Sequence, residues 1–508
     1  MITIKDNDWI INLIGDSTMR FYKTIFTSII ILISTLTGVA NSNQIDTLKK
    51  SVWQKIDNKT ELLENVNKKI WSFAEIGLEE TESSNLLIDV LTKNGFSVKK
   101  DIANMPTAFM ARYGKGKTKI GILAEYDALP GVSQSHNPFE EPGPNKKAGH
   151  ACGHSVFGVG SLAAALAIKE LIEEKKIDGT ITLYGTPAEE TGIGKVYMLK
   201  DNYFKDEDVI FSWHPFDQTA VSYNETKALV NVKFVFKGTA AHSSVSPWRG
   251  KSALDAVELM TNGVNFMREH IKPDARIHYI ITKGGDQPNV VPPEAEVWFY
   301  IRANKFSDVE DYFIWIKDIA EAAAKMSRTK LDDIIIQSEV HEKISFRYLS
   351  ELMQENLETI GPPIWSEEEL EFARVTQRNF LSKETYLQIK DLPALYNKIN
   401  PLRQDPYPAT ASTDIADISW FVPTGGVGIA SYGYNIPIHS WPVVAATGTT
   451  IGTKALIVAA KTIAATSIDL YENEKLLNKV KSSWKESRGD APFKTLIPKK
   501  QMAPERIN

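Results

Sequence analysis

The sequence predicts an α/β fold with a ferredoxin-like unit inserted into it. Two observations lead there. Over residues 45–223 short apolar runs alternate with helical periodicities, the pattern of a largely parallel sheet layered with helices. Beyond Tyr223 the order changes to β-α-β-β-α-β for about a hundred residues, and from Ser345 the first pattern resumes. The expected domains are 41–226 and 344–485 for the two parts of the main domain, 227–343 for the insertion, and 486–508 for a polar, basic surface tail.

Each element has its own signal. Leu48, Val52, Ile56 and Leu62/Leu63 recur at helical spacing over 45–73, and 84–94 is a second helix. Residues 119–123 read as a buried strand, and the Ala- and Leu-rich 155–172 as a helix. Residues 180–184 and 209–213 are further strands. In the insertion, 228–236 alternates apolar and polar, as a half-solvated strand does. Then follow a helix over 252–271, strands over 276–283 and 295–304, a helix over 308–324 and a strand over 333–341. A helix over 453–481 ends the main domain.

The 508 residues are 43% hydrophobic and 24% charged, ordinary globular usage. With 58 Lys and Arg against 63 Asp and Glu, the net charge of −5 argues against a basic nucleic-acid coat, and no nucleic-acid partner is expected. One cysteine excludes an intrachain disulfide. Residues 24–45 carry no charge and contain the apolar run around Ile29 to Ile33; Arg20 and Lys23 precede it, and Gly38-Val39-Ala40 follows with small side chains. This is a signal-peptide pattern over 19–40, implying an exported, periplasmic protein. Asp6, Asp8 and Asp16 suit no such leader, so synthesis is expected to start at Met19. No other stretch reads as long and apolar enough to span a membrane, so no stable span is expected after signal removal.

The chemistry concentrates in short motifs. Gly149-His150-Ala151-Cys152-Gly153-His154 places two of the nine histidines beside the only cysteine. A thiolate and an imidazole on a glycine-flanked turn can converge on one cation, and sulfur suits zinc and other borderline metals. Pro187-Ala188-Glu189-Glu190 follows a predicted strand; of two adjacent carboxylates, one can hold metal and the other act as general base. His214 stands just past another strand, the edge where open α/β sheets bind ligands. Glu125 and Asp127 follow a third strand, and Asp127 can orient a ligating histidine. Ser412-Thr413-Asp414 looks partly like a helix N-cap, and His439 follows a Gly-rich strand over 425–432. Taken singly, a buried structural cysteine, solvated glutamates and a capped core histidine remain the alternatives.

Taken together and in this order, the motifs resemble the aminoacylase and glutamate-carboxypeptidase family of co-catalytic metallohydrolases. His-Ala-Cys-Gly-His and Pro-Ala-Glu-Glu resemble its amino-acid-conjugate amidohydrolase branch, which includes hippurate and auxin-conjugate hydrolases. The resemblance covers nearly the whole chain after the signal. It implies a dinuclear-metallopeptidase-like α/β catalytic domain with an inserted lid and dimerisation domain. It implies a metal-dependent amidohydrolase that cleaves N-acyl amino acids, aromatic acyl groups foremost, with metal-activated water and Glu189 as general base. Two divalent ions per protomer, Zn or Mn, would be bridged by Cys152. His154 and Glu190 would complete one shell, and His214 and His439 the other. Asp127 would support a ligand and His150 would be structural. His242 of one protomer would polarise the scissile carbonyl in the other, and Asn289 and Arg302 would hold the substrate carboxylate. A homodimer follows, with a heterodimer as the alternative. Ser155 departs from the Asp or Asn usual in the branch. The rival readings are a dinuclear-metal peptidase or deacetylase, a non-catalytic member of a heterodimer, and a cysteine hydrolase using Cys152.

Overall fold

The computed structural model describes residues 43–506, and the expected signal at 19–40 lies outside them. The chain divides at Ser51, and within the segment before that point residues 43–51 are helical. The unit from Val52 onward carries two sheets of consequence.

The larger sheet has seven strands in the order Ser97–Lys100, Phe109–Gly114, Thr180–Gly185, Lys119–Ala124, Val209–Phe216, Thr424–Ala430 and Ala220–Val221. The four strands from Thr180–Gly185 to Thr424–Ala430 pair in parallel. The flanking strands are antiparallel, so the sheet is mixed and its parallel character is confined to the centre. Those central strands are buried almost throughout, as the strands of a sheet layered with helices are.

Among the described residues two helices, His154–Glu173 and Thr450–Glu472, are long and apolar enough to cross a membrane by length and composition, which corrects the expectation that no stretch beyond the signal is. They pack against each other and are buried over most of their length, as core helices are. Gly160 lets the first approach the sheet: a Cβ there would fall 2.8 Å from the Trp213 ring, whose Nε1 donates to the Phe157 carbonyl at 2.9 Å. The second helix ends at Asn473, which caps a separate helix, Glu474–Arg488, by accepting from Leu476 N. The expected single helix is therefore two.

The smaller sheet is antiparallel, in the order Arg276–Lys283, Glu294–Ala303, Ala228–Lys237, Lys330–Val340, with helices Ala253–Met267 and Phe306–Ser327 packed on it. Chain order and sheet order are those of the expected β-α-β-β-α-β unit. Glu294–Ala303 alternates buried and half-buried residues along its whole length. Ala228–Lys237 does not: its first half is buried on both faces. Asn231 explains this. Its Nδ2 donates to the Thr191 carbonyl of the neighbouring domain and its Oδ1 accepts from Trp298 Nε1.

The C-terminal segment is not a free surface tail. Leu496 N donates to Glu339, Gln501 Nε2 donates to Tyr197 Oη and to the Ile336 carbonyl, and Ile497 and Ala503 are buried. It ties the helix Gly194–Lys200 to the strand Lys330–Val340.

Candidate metal centre and active site

Five of the singled-out residues meet at the carboxyl ends of the parallel strands, where open α/β sheets place their ligand crevice. Glu190 lies in the short turn Glu189–Thr191 after Thr180–Gly185, and His439 lies beyond Thr424–Ala430. His214 is inside its strand, opposite Gly428, rather than past its end. Cys152 and His154 come from the turn that opens the long helix, with His154 as its first residue. Gly153 between them has φ +79°, and a Cβ there would fall 2.5 Å from Pro215, so only glycine fits that turn. The His439 N–H donates to the Ala151 carbonyl at 2.9 Å, which docks the late loop onto the cysteine motif.

The ligand atoms fall into groups within 4.8 Å of one another: Cys152 with His154 and His214, and Cys152 with Glu190 and His439. Cys152 belongs to both, as a bridge requires. The grouping places His154 with His214 and Glu190 with His439, a different pairing from the one the resemblance implies. Cys152 Sγ is 3.4 Å from His214 Nε2, and His439 Nε2 is 3.4 Å from Glu190 Oε2.

Hydrogen bonds leave the right nitrogens free. His154 Nδ1 donates to Asp127 Oδ1 at 2.7 Å and His214 Nδ1 donates to the Pro215 carbonyl at 2.8 Å, which directs both Nε2 atoms into the site. His154 Nε2 and Glu190 Oε1 are buried with no hydrogen-bond partner. Orphaned buried nitrogen and oxygen atoms beside a cysteine sulfur fit a pair of divalent cations. Burial pushes the Cys152 thiol well above its ordinary pKa and raises the Glu190 carboxyl. Burial, then the neighbouring His154, lowers His214 to about 3, so its imidazole is neutral and able to ligate.

Glu189 faces the same space, with Oε2 3.9 Å from His154 Nε2. Its turn is held from three sides. Glu80 Oε1 accepts from Ala188 N at 2.8 Å, Asp127 Oδ2 accepts from Glu190 N at 3.0 Å, and Asn231 and Ser338 both donate to the Thr191 carbonyl. Ala188 sits at φ 54°, a left-handed conformation that these bonds stabilise. Glu80→Ala is expected to leave the buried Ala188 N–H without an acceptor and to cost about 1–3 kcal/mol. Urea unfolding measures it, and an unchanged midpoint would remove Glu80 from this role.

Arg302 is half-buried, its guanidinium 5.4 Å from the Tyr300 ring, and its Nε has no hydrogen-bond partner. Burial holds it below its ordinary pKa against the pull of Tyr300 and Glu189. His242 and Asn289 stand apart. His242 pairs with Val290 in the inserted unit, Ser243 N donates to the Asn289 carbonyl, and both residues are exposed. Among the described contacts none joins either residue to the metal ligands. His242 Nδ1 accepts from Ser244 N and Val245 N at 3.2 Å each, which leaves Nε2 as the donor. His150 faces the core: its Nε2 lies 3.1 Å from the Ile70 carbonyl, away from the ligand groups.

Sequence reasoning missed four residues of this site. Glu80, Asn231 and Ser338 hold the Glu189 turn. Lys195 is fully buried between Glu125 and Asp414, with Nζ 2.8 Å from Glu125 Oε1 and 2.6 Å from Asp414 Oδ1. Glu125 Oε2 lies 3.2 Å from His154 Nε2. Asp414, read as a partial cap, makes no capping bond; Thr413 Oγ1 accepts from Ile415 N instead. Burial alone would discharge the Lys195 ammonium, but Asp414 and Glu125 outweigh it and raise its pKa. A lysine inside the apolar stretch after Glu190 was the available signal.

Residues 224–327 match the peptidase dimerisation domain family. The chain is 36% identical over 452 residues to a component of the p-aminobenzoyl-glutamate hydrolase of Escherichia coli, covering 85% of this chain and 93% of that protein. It is 27% identical over 467 residues to Xaa-Arg dipeptidase of Mus musculus, covering 88% and 94%. The fold matches a dinuclear metal-binding peptidase of the M20 family from Bacillus subtilis, with TM-score 0.51 and 16% identity over 82% of this chain and 99% of that one. With its candidate ligand groups near the strand ends and a curated relative matched over nearly its full length, the chain belongs to the M20 family of metallopeptidases and amidohydrolases and is a hydrolase of amide bonds.

Proposed function

We propose that this enzyme hydrolyses N-acyl amino acids with aromatic acyl groups, p-aminobenzoyl-glutamate foremost, using two divalent ions per protomer, Zn or Mn. The observation that carries the reading is Cys152 shared by two ligand groups with Glu189 beside them. The Escherichia coli relative supports the choice of acyl group and amino acid.

Cys152, His154 and His214 would hold one ion, and Cys152, Glu190 and His439 the other. When bound, such ions acidify water and polarise a carbonyl. Glu189 takes the proton of the attacking water and returns it to the leaving amine nitrogen. Asp127 keeps His154 in the ligating tautomer. Arg302 pairs the free carboxylate of the amino-acid half, a planar bidentate contact suited to guanidinium, and Asn289 assists. His242 acts across a homodimer, donating from Nε2 to the developing oxyanion in the other protomer. Residues 19–40 direct export to the periplasm and are then removed.

The test is a kcat/KM comparison across p-aminobenzoyl-glutamate, hippurate, an Xaa-Arg dipeptide and N-acetyl-cysteine with the metal-loaded protein. The aromatic conjugates are expected to lead by at least an order of magnitude, about 1.4 kcal/mol of transition-state binding. A leading Xaa-Arg dipeptide would replace this reading with that of a peptidase.

A further inference from the structure

We infer that Lys195 is a positioning residue for hydrolysis: its ammonium clamps Glu125 and Asp414 so that Glu125 stands against His154 and the Glu189 side of the site stays fixed. The inference rests on the amide-hydrolysis reading and extends it to residues outside the ligand set.

The geometry is specific. Lys195 Nζ, with its side chain wholly inaccessible, touches Glu125 Oε1 and Asp414 Oδ1 at 2.8 and 2.6 Å. Asp414 Oδ2 accepts from the Lys195 backbone N–H at 3.0 Å, so the same aspartate fixes both the head and the root of the lysine. Glu125 meets Lys195 through an ion pair at Oε1; neither of its oxygens has a hydrogen-bond partner, and Oε2 lies 3.2 Å from His154 Nε2, the nitrogen aimed into the site. Glu125, His154 and Glu189 form a third group of donor atoms within 4.8 Å. Three distant stretches of chain thus converge on the wall beside the general base.

Stability does not account for such a cluster. Buried ion pairs contribute little over well-packed apolar side chains, because desolvation consumes the Coulombic gain. Placement of charge does account for it. Without the ammonium, Glu125 would confront Glu189 across His154 with nothing holding it back, and Asp414 would lose the group that orders it. The helix Gly194–Lys200 begins just beyond the Glu189 turn, so a displaced Lys195 also loosens that turn.

The experiment uses full-length, metal-loaded protein and p-aminobenzoyl-glutamate, comparing Lys195→Met, Glu125→Gln and the double variant. Lys195→Met is expected to lower kcat roughly 10²-fold with KM little changed and metal content retained, the size of effect that a small misplacement of a reacting group produces. The double variant, which removes the ammonium and one of its two carboxylate partners, is expected to recover part of that loss, a coupling that independent sites do not show. Should Lys195→Met fail to fold, the double variant against Glu125→Gln carries the comparison. Wild-type kcat in Lys195→Met, or a lowered unfolding midpoint with unchanged kcat per folded molecule, overturns the inference alone. A wild-type protein that cleaves no conjugate overturns the amide-hydrolysis reading together with it.

Discussion

Glu189→Gln is expected to lower kcat by about 10²- to 10⁴-fold, the range over which positioned acid–base groups act, while leaving metal content unchanged. The reasoning starts from the turn. Its backbone is fixed by Glu80, Asp127, Asn231 and Ser338, so the amide side chain should occupy the place of the carboxylate. Glutamine fills that space without accepting a proton. Glu189 is absent from both groups that contain Cys152, so neither of those two groups loses a donor. Metal analysis beside steady-state kinetics separates the two effects. A variant with full turnover removes Glu189 as the base; one that loses its metal makes Glu189 a ligand.

Cys152→Ala is expected to have the broadest effect of any single change. Cys152 is the one residue common to both ligand groups, so its removal leaves each with two protein donors. The substitution itself is small and the site is buried, so the fold should survive. The expected result is loss of most bound metal and of hydrolysis, with urea unfolding of the metal-free proteins nearly unchanged. Full metal content in Cys152→Ala would show that the thiolate is not the bridge. Cys152→Ser is the useful companion: an oxygen donor is harder, and its affinity should shift away from zinc toward manganese.

The residues that meet in the candidate site could be singled out from the sequence because most of them stand near a predicted strand or at a helix start, and both leave local signals. Apolar runs marked the strands before Glu125, Glu189 and His214, and the glycine-flanked cysteine motif marked the helix start. What was not legible depends on partners far along the chain. Lys195 reads locally as an ordinary lysine near a helix start; its partner Asp414 lies in a segment that reads as a cap. Glu80 precedes a helix, where an acid needs no special reason, yet its carboxylate holds Ala188. Asn231 interrupts a strand pattern without showing that the inserted unit grips the Glu189 turn through it. The grouping of these side chains was also beyond the sequence, since spacing says which residues can meet and not which of them do. The C-terminal segment looked solvated because its composition is polar, and its docking runs through Gln501 and the backbone of Leu496.

Metal content measured alongside chelator-reversible hydrolysis of p-aminobenzoyl-glutamate tests the central claim most directly. Two divalent ions per chain, with cleavage abolished by chelator and restored by Zn or Mn, is the expected result. Cleavage that persists in metal-free protein but is lost on thiol alkylation would contradict it, and would make Cys152 a nucleophile rather than a bridge.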